Sequence, residues 1–257
     1  MLELTNIDKL FAHGTVDEMQ LFDKFNLSVP DGQFLAIIGS NGSGKTSLLN
    51  AISGDIHLDG GRVLLDGEDI TNKKNFERYR TVGRVFQDPA AGTCPSMTIM
   101  ENLAIAENKG RSFNLARGVN PHRAEYYKSL LEPLGLGLEH KLGTKVESLS
   151  GGQRQALALL VSTMAPLQLL ILDEHTAALD PKTAQITMDL TDQLVAEKGL
   201  TAVMVTHNVR HAVKYGDRLI MLHEGSIVMD KEGAEKDELK VSEVINMFNE
   251  ISIEYGN

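Results

Sequence analysis

The sequence predicts a mixed α/β fold that carries a helical insertion, and three observations support this prediction. A short, continuously apolar run at 34–38 precedes a glycine-rich loop and a helical pattern, as expected of a strand covered on both faces. Two further buried strands are predicted at 167–172 and 200–206, with a helical pattern between them. Between residues 88 and 165 the pattern is helical instead. We therefore expect an α/β core that is interrupted by helices.

The first part of the chain is predicted to be rich in strands. Apolar alternation and short apolar runs predict strands at 2–10, 19–27, 34–38, 62–66 and 82–86. A helix containing Leu48, Leu49 and Ile52 follows the third strand and ends at Gly54, because glycine accepts the left-handed backbone of a helix end. The strand at 82–86 leads into Gln87, where the helical part begins.

Helix-start signals place the remaining elements. Thr98–Glu101 and Ser150–Gln153 have the spacing of capping boxes, and Asn120 precedes a proline at a first helical position. Asp180-Pro181 opens a helix that ends near Gly199. The last part is predicted to form a strand at 200–206, a hairpin of 219–222 with 227–229, and an amphipathic helix at 239–253. We expect one domain over 1–257, divided into a core (1–87 and 166–235), a helical part (88–165) and a C-terminal helix (236–257).

Charge and composition exclude several classes of protein. The formal charge is −10 over 257 residues, without a lysine and arginine cluster, which argues against a general nucleic-acid binder and against docking on anionic lipid. Cys94 is the single cysteine, so no internal disulfide forms, which fits a reducing cytosol.

A membrane-spanning segment is not expected. The stretch 156–172 is uncharged, but Pro166 and Gln168 interrupt it, so a buried helix, a turn and a buried strand explain it better. Glu3 and Asp8 break any apolar start, so we expect no signal peptide. Any membrane role would then depend on a partner chain.

The loop Gly39–Thr46 has the pattern Gly-x-x-x-x-Gly-Lys-Thr between a strand and a helix, which indicates a phosphate-binding loop. Its glycines let successive backbone N–H groups face phosphate oxygens, and the helix that follows adds its positive end. Lys45 is predicted to contact the terminal phosphates, Thr46 to bind Mg²⁺, and Ser47 to reach the α-phosphate. The nucleotide contacts predicted here are Gly39, Ser40, Asn41, Gly42, Ser43, Gly44, Lys45, Thr46 and Ser47.

Two acidic residues complete the predicted reaction centre. Asp173 and Glu174 directly follow the apolar run Leu169–Leu172. A carboxylate at such a strand end can hold Mg²⁺ through water, so Asp173 is a predicted metal ligand. Glu174 is predicted to accept a proton from the attacking water or to polarise it.

A second glycine motif, Leu149–Gln153, indicates how the chain uses its nucleotide. Its serine and glycines begin a helix and so form another anion site, although the chain already has a phosphate loop. At these motifs the sequence resembles the ATPase subunit of an ABC transporter, from about Met1 to Asp230. The resemblance implies a P-loop NTPase fold with a RecA-like core, an antiparallel β subdomain and an inserted α-helical subdomain.

The resemblance also implies a homodimer with ATP between the two copies. Each ATP would lie between Lys45 of one chain and Ser150 of the other, and residues 178–180 would cross the interface. The predicted contacts from this motif are Ser150, Gly151, Gly152 and Gln153. ATP and Mg²⁺ are the expected cofactors, and two-fold symmetry gives two equal sites.

Four further site residues follow from the resemblance. Gln87 would touch Mg²⁺ or water and connect the site to the permease, and His207 would contact the γ-phosphate. An aromatic side chain ahead of the phosphate loop would stack on adenine. Phe11 fits best with Val16 beside it, and the competing interpretation of Phe11 is a core phenylalanine. Phe22 and Phe25 are alternatives, but their pattern is typical of a strand core.

One residue departs from the family pattern. His175 stands where many relatives have proline, and it is assigned no chemistry.

The resemblance therefore predicts a transport ATPase at the cytoplasmic face of the cell membrane. Its partners would be permease subunits and an extracytoplasmic substrate-binding lipoprotein, with amino acids, including aromatic ones, or other small organic solutes as cargo. The alternatives are a lipoprotein-release or efflux system, or a soluble ABC ATPase acting on DNA or ribosomes. A P-loop kinase or GTPase would leave Leu149–Gln153 unexplained.

Overall fold

The computed structural model describes residues 1–110 and 118–254. Residues 111–117 of the predicted helical part, and 255–257 of the predicted C-terminal helix, lie outside the described residues. The strands are β1 (Leu2–Phe11), β2 (Met19–Val29), β3 (Phe34–Gly39), β4 (Gly60–Leu65), β5 (Glu68–Asp69), β6 (Val82–Val85), β7 (Leu169–Asp173), β8 (Ala202–Val205), β9 (Arg218–His223) and β10 (Ser226–Glu232). The α-helices are α1 (Lys45–Ser53), α2 (Asn75–Arg78), α3 (Ile99–Glu107), α4 (Ala124–Leu131), α5 (Gly151–Thr163), α6 (Pro181–Lys198), α7 (Val209–Lys214), α8 (Ala234–Asp237) and α9 (Val241–Glu254).

Two sheets form the α/β part. The larger sheet has six strands in the order β10-β9-β3-β8-β7-β6, and all of its pairings are parallel except the β9–β10 hairpin. The smaller sheet has four strands in the order β2-β1-β4-β5 and is antiparallel throughout. Strand β8 lies between β3 and β7, although it follows both in sequence. The carboxyl ends of β3, β6, β7 and β8 therefore meet at one edge of the larger sheet.

Apolar side chains bury both faces of the larger sheet. One face packs with α1 against the smaller sheet through Leu35, Ile37, Leu49 and Phe22, and the opposite face is covered by α6, α7 and α9. The continuous apolar run predicted from the sequence is thus buried on both sides, as expected of a parallel strand. A third hydrophobic core is formed by α3, α4 and α5, the helices that follow β6 and precede β7 in the sequence.

The predicted α/β class is confirmed. The predicted ends of the strands and helices are less accurate. The strand predicted at 167–172 begins at Leu169 and includes Asp173, and the strand predicted at 62–66 begins at Gly60. Asn120 caps a short 3-10 turn, Pro121–Arg123, that leads into α4. Helices α2 and α7 were not predicted, because each is too short to show apolar periodicity.

No helix in the described ranges combines the length and the apolar character needed to cross a bilayer. The uncharged stretch 156–172 is divided between α5 and β7, whose side chains are mostly buried.

Candidate functional site

The glycine-rich loop turns tightly between β3 and α1. The backbone N–H of Ser43 donates to the carbonyl of Ser40 at 3.3 Å. Gly44, the residue before α1, has φ of 101°, which only glycine adopts without strain. A Cβ on Gly39 would lie 2.3 Å from the carbonyl oxygen of Leu222, so the loop also needs glycine for close packing. The loop is therefore a compact cradle of backbone N–H groups at a helix start.

Two polar side chains of this loop are buried in the cradle. Lys45 is 5% exposed, and its Nζ donates to the carbonyls of Gly39 and Ser40, each at 2.8 Å. Burial lowers the pKa of Lys45, and the negative charge of Glu174 opposes that shift. Ser43 is 1% exposed, and its hydroxyl has no hydrogen-bond partner among the described residues. Phosphate oxygens are the acceptors that such donors fit.

Strand β7 delivers the two predicted acidic residues to the same sheet edge. Asp173 is the last residue of β7, and the backbone N–H of Glu174 donates to the carbonyl of Val205 at 3.0 Å. Glu174 has φ of 46°, an uncommon conformation for a side chain larger than glycine. Backbone strain of this kind clusters at active sites, since the surrounding structure has to maintain it.

His207 lies two residues past the end of β8 and faces Glu174. Its Nε2 is 2.6 Å from Glu174 Oε1, and the side chains are 46% and 15% exposed, respectively. A cavity of about 330 Å³ adjoins His207, and its lining residues also include Ser40 and Asn41. Ile245 and Phe248 of α9 line the same cavity. The structure thus brings the loop, His207 and Glu174 to one edge of the larger sheet, and their assignment to the nucleotide stays a prediction. Helix α9 was not expected there.

The donors for a divalent cation are hard oxygen atoms. Thr46 is exposed at the start of α1, Asp173 is a carboxylate at the end of β7, and Gln87 is exposed just after β6. These oxygens fit Mg²⁺, which is usually held by one or two carboxylates together with substrate phosphates. No group of three or more His, Cys, Asp and Glu side chains in the described part could hold a metal by itself. The residues therefore fit a cation that is shared with a phosphate ligand.

The second glycine motif begins α5 as a capping box. Ser150 Oγ accepts from the N–H of Gln153, and Gln153 Oε1 accepts from the N–H of Ser150, both at 3.3 Å. A Cβ on Gly152 would lie 2.2 Å from Cγ2 of Thr183 in α6. The motif therefore combines an exposed serine at a helix start with a glycine on which a neighbouring helix packs.

The predicted adenine contacts differ in their surroundings. Phe11 is partly buried against the core that contains Phe22, and Lys9 Nζ lies 5.2 Å from the centre of the Phe11 ring. Phe22 is fully buried, with its ring 3.3 Å from a Cβ built on Gly44. Val16 is fully exposed at 102%. Phe22 therefore belongs to the core, whereas Phe11 stays the predicted adenine contact.

Sequence analysis missed the role of two buried polar residues beside the site. Arg84 in β6 donates to Asp173 Oδ2 at 2.6 Å and to Asp55 Oδ2 at 3.0 Å. His175 is 2% exposed, and its Nε2 lies 3.1 Å from Thr191 Oγ1. An arginine inside a predicted buried strand was the available signal, because buried charges are almost always paired.

Comparison with known proteins places this chain among ATP-binding cassettes. Residues 22–177 match the family model described as ABC transporter. The chain is 48% identical over 248 residues to a tyrosine transport ATP-binding protein of Clostridioides difficile, covering 96% of this chain and 98% of that protein. It is 34% identical over 236 residues to the phosphonates import ATP-binding protein PhnC of Alcaligenes faecalis, covering 90% and 82%.

A solved structure has the same fold. It is the dimeric, post-hydrolysis state of an ATP-binding cassette bound to ADP and Pi, with a TM-score of 0.76 and 28% identity. The match covers 90% of this chain and 98% of that one. The predicted P-loop NTPase fold is thereby confirmed.

Proposed function

This chain belongs to the ABC transporter family of ATP-binding proteins and is an ATPase; from that premise we propose that it powers a bacterial importer of amino acids or other small organic solutes. The observation that carries the proposal is the convergence of the phosphate loop, Glu174 and His207 at one edge of the larger sheet. The importer assignment is supported by the transport relatives, of which one is named for tyrosine and another for phosphonates.

We assign nucleotide binding to the loop Gly39–Gly44 and the start of α1. The backbone N–H groups of the loop surround the phosphates, and the helix start adds its positive end. The Lys45 ammonium, which contacts two loop carbonyls, turns to the β- and γ-phosphates. Ser47 donates to the α-phosphate, and Phe11 with Val16 contacts adenine.

The reaction is transfer of the γ-phosphoryl group to water. The water oxygen forms a bond to the γ-phosphorus as the bond to the β–γ bridging oxygen breaks, and a water proton passes to Glu174 Oε. His207 donates from Nε2 to a γ-phosphate oxygen, and Lys45 stabilises the charge on the same group. Mg²⁺, for which Thr46, Asp173 and Gln87 are the proposed ligands, would neutralise phosphate charge.

The proposed active unit is a homodimer with two shared sites. Ser150, Gly151, Gly152 and Gln153 of one copy complete the phosphate site around Lys45 of the other. Support comes from the exposed helix start at Ser150 and from the dimeric state of the similar cassette. ATP then holds the dimer together, and loss of the γ-phosphate weakens it, so the affinity difference between ATP and ADP drives a conformational cycle.

Mixing two inactive variants tests the shared site. We expect Lys45→Ala to lack productive nucleotide binding at its own phosphate loop, and Ser150→Arg to disable only the site to which that serine contributes. A mixed dimer has one wild-type site, built from Lys45 of the Ser150→Arg chain and Ser150 of the Lys45→Ala chain. The mixture is therefore expected to hydrolyse ATP, whereas each variant alone is not. A mixture as inactive as its components would contradict the shared site.

The wider assembly extends this proposal. Permease subunits dock on the helical part (88–165) beside Gln87, on the cytoplasmic face of the membrane, and a substrate-binding lipoprotein delivers cargo to the permease. The core is assigned to 1–87 and 166–235, and the rest of the described chain, which contains α9, forms a C-terminal segment from residue 236.

Uptake assays test the cargo. Cells that lack the chain are compared with cells carrying the wild type or Lys45→Ala, using labelled tyrosine, other amino acids and phosphonates. We expect ATP-dependent uptake of an aromatic amino acid to require the wild type. Loss of export, with uptake unchanged, would support an efflux or lipoprotein-release system instead.

A further inference from the structure

Arg84 connects the predicted metal carboxylate to the helix that follows the phosphate loop. Its side chain is 5% exposed in β6, and its Nη2 donates to Asp173 Oδ2 at 2.6 Å. Its Nη1 donates to Asp55 Oδ2 at 3.0 Å and to Asn50 Oδ1 at 2.9 Å, both at the C-terminal end of α1. One guanidinium thus joins the end of β7 to α1.

We propose that Arg84 is a positioning residue that holds the Asp173 carboxylate in the orientation required for Mg²⁺·ATP. This rests on the proposed function, in which Asp173 serves the cation at the phosphate site. Helix α1 begins with Lys45 and ends at the Arg84 contacts, so the same rigid helix carries the phosphate cradle and the anchor of the carboxylate. Arg84 donates to Oδ2 of Asp173, and the carboxylate held in this way would serve the cation.

The chemistry of the contact favours arginine at this position. The planar guanidinium presents several donors in a fixed fork, so it can satisfy two carboxylates and an amide at once, which an ammonium group cannot. The guanidinium carbon also lies 4.8 Å from the centre of the Phe86 ring, which packs against it next to Gln87. Asp173 is only 14% exposed, so removal of Arg84 would leave a nearly buried carboxylate without its charged partner.

A second buried arginine at the same helix end provides a matched control. Arg78 is 4% exposed and donates to the backbone carbonyls of Ala51, Ile52 and Thr71. It fixes the end of α1 without a hydrogen bond to Asp173. Loss of Arg78 therefore reports the structural effect of removing a buried arginine, whereas loss of Arg84 also affects the carboxylate.

The experiment measures the Mg²⁺ concentration that half-saturates binding of a fluorescent ATP analogue to the full chain, without turnover. Arg84→Met is expected to raise this concentration by roughly 10- to 100-fold, the usual effect of losing a residue that orients a metal ligand. Binding of the analogue in the absence of Mg²⁺ is expected to stay at the wild-type level. Arg78→Met is expected to lower thermal stability and to leave the Mg²⁺ dependence unchanged.

A wild-type Mg²⁺ dependence in Arg84→Met, or an equal rise in Arg78→Met, would overturn the proposal. If Arg84→Met does not fold, Arg84→Lys is tested instead, because lysine keeps the positive charge but lacks the planar guanidinium. A higher half-saturating Mg²⁺ concentration in Arg84→Lys supports the proposal, and the wild-type concentration overturns it. Asp173→Asn separates this proposal from the proposed function. If Asp173→Asn leaves the Mg²⁺ dependence unchanged, the assignment of Asp173 itself fails.

Discussion

Glu174 and His207 face each other across the ends of two adjacent parallel strands, with Glu174 Oε1 2.6 Å from His207 Nε2. Register places Asp173 opposite Val205, so the residues just beyond these two strand ends meet. The carboxylate is mostly buried and the imidazole is half exposed beside the cavity. The proposed proton acceptor and the proposed γ-phosphate contact therefore form one unit.

Glu174→Gln is expected to bind ATP with wild-type affinity and to hydrolyse it about 10²- to 10⁴-fold more slowly, because the amide cannot accept the water proton. The variant should accumulate as an ATP-bound dimer, measured by size-exclusion chromatography with and without ATP. Glu224→Gln is the control, since Glu224 also has a positive φ, 42°, but lies in the β9–β10 turn. Near-normal turnover by Glu174→Gln would remove Glu174 from the mechanism.

His207→Ala is expected to lower the rate of ATP hydrolysis by roughly 10²- to 10³-fold, the usual effect of losing a donor to transition-state charge. Steady-state assays should show the loss in kcat, with a small change in KM. His140→Ala removes a histidine side chain that is 82% exposed outside this site and should behave as wild type. Equal activity of the two variants would argue that His207 is a bystander.

Gly152→Ala is expected to destabilise the protein by about 1–3 kcal/mol, since the added Cβ would lie 2.2 Å from Thr183 Cγ2. Urea unfolding measures the change. Gly143→Ala is the matched control, because a Cβ there meets no atom within 4 Å. A Gly152→Ala protein as stable as Gly143→Ala would show that the Thr183 side chain makes room for the added methyl group without cost.

The buried side chain of His175 should make the stability of the protein depend on pH. Its Nε2 donates to Thr191 Oγ1, whose hydroxyl donates to the carbonyl of Thr187, and burial followed by the charge of His211 lowers the His175 pKa to about 3. The unfolded chain takes up a proton below about pH 6.5 and the folded chain does not, so this residue destabilises the fold as pH falls from 6.5 toward 3.

The substitution His175→Gln removes the imidazole that takes up this proton in the unfolded chain. Between about pH 6 and pH 4 the free energy of unfolding of the wild type should fall more steeply than that of the variant, by up to about 1.4 kcal/mol per pH unit. Denaturant unfolding at several pH values measures both slopes. Parallel curves would mean that His175 is protonated in the folded protein.

The motifs could be located from sequence because each depends on local chemistry. The phosphate loop needs glycine for its backbone, the capping box at Ser150 needs a side chain three residues on, and an apolar run precedes Asp173. The contacts of Arg84 could not be located, because its partners Asn50 and Asp173 lie 34 and 89 residues away.

The sequence by itself determined the succession of the main strands and longer helices along the chain, the phosphate loop and the second glycine motif. These follow from apolar periodicity and from backbone requirements at single positions. Only the tertiary structure decided which polar groups meet. Strand β8 inserts between β3 and β7, and this pairing across distant segments places His207 against Glu174. Hydrogen bonding between strands and burial of both sheet faces select that order, and neither is a property of a local stretch of sequence.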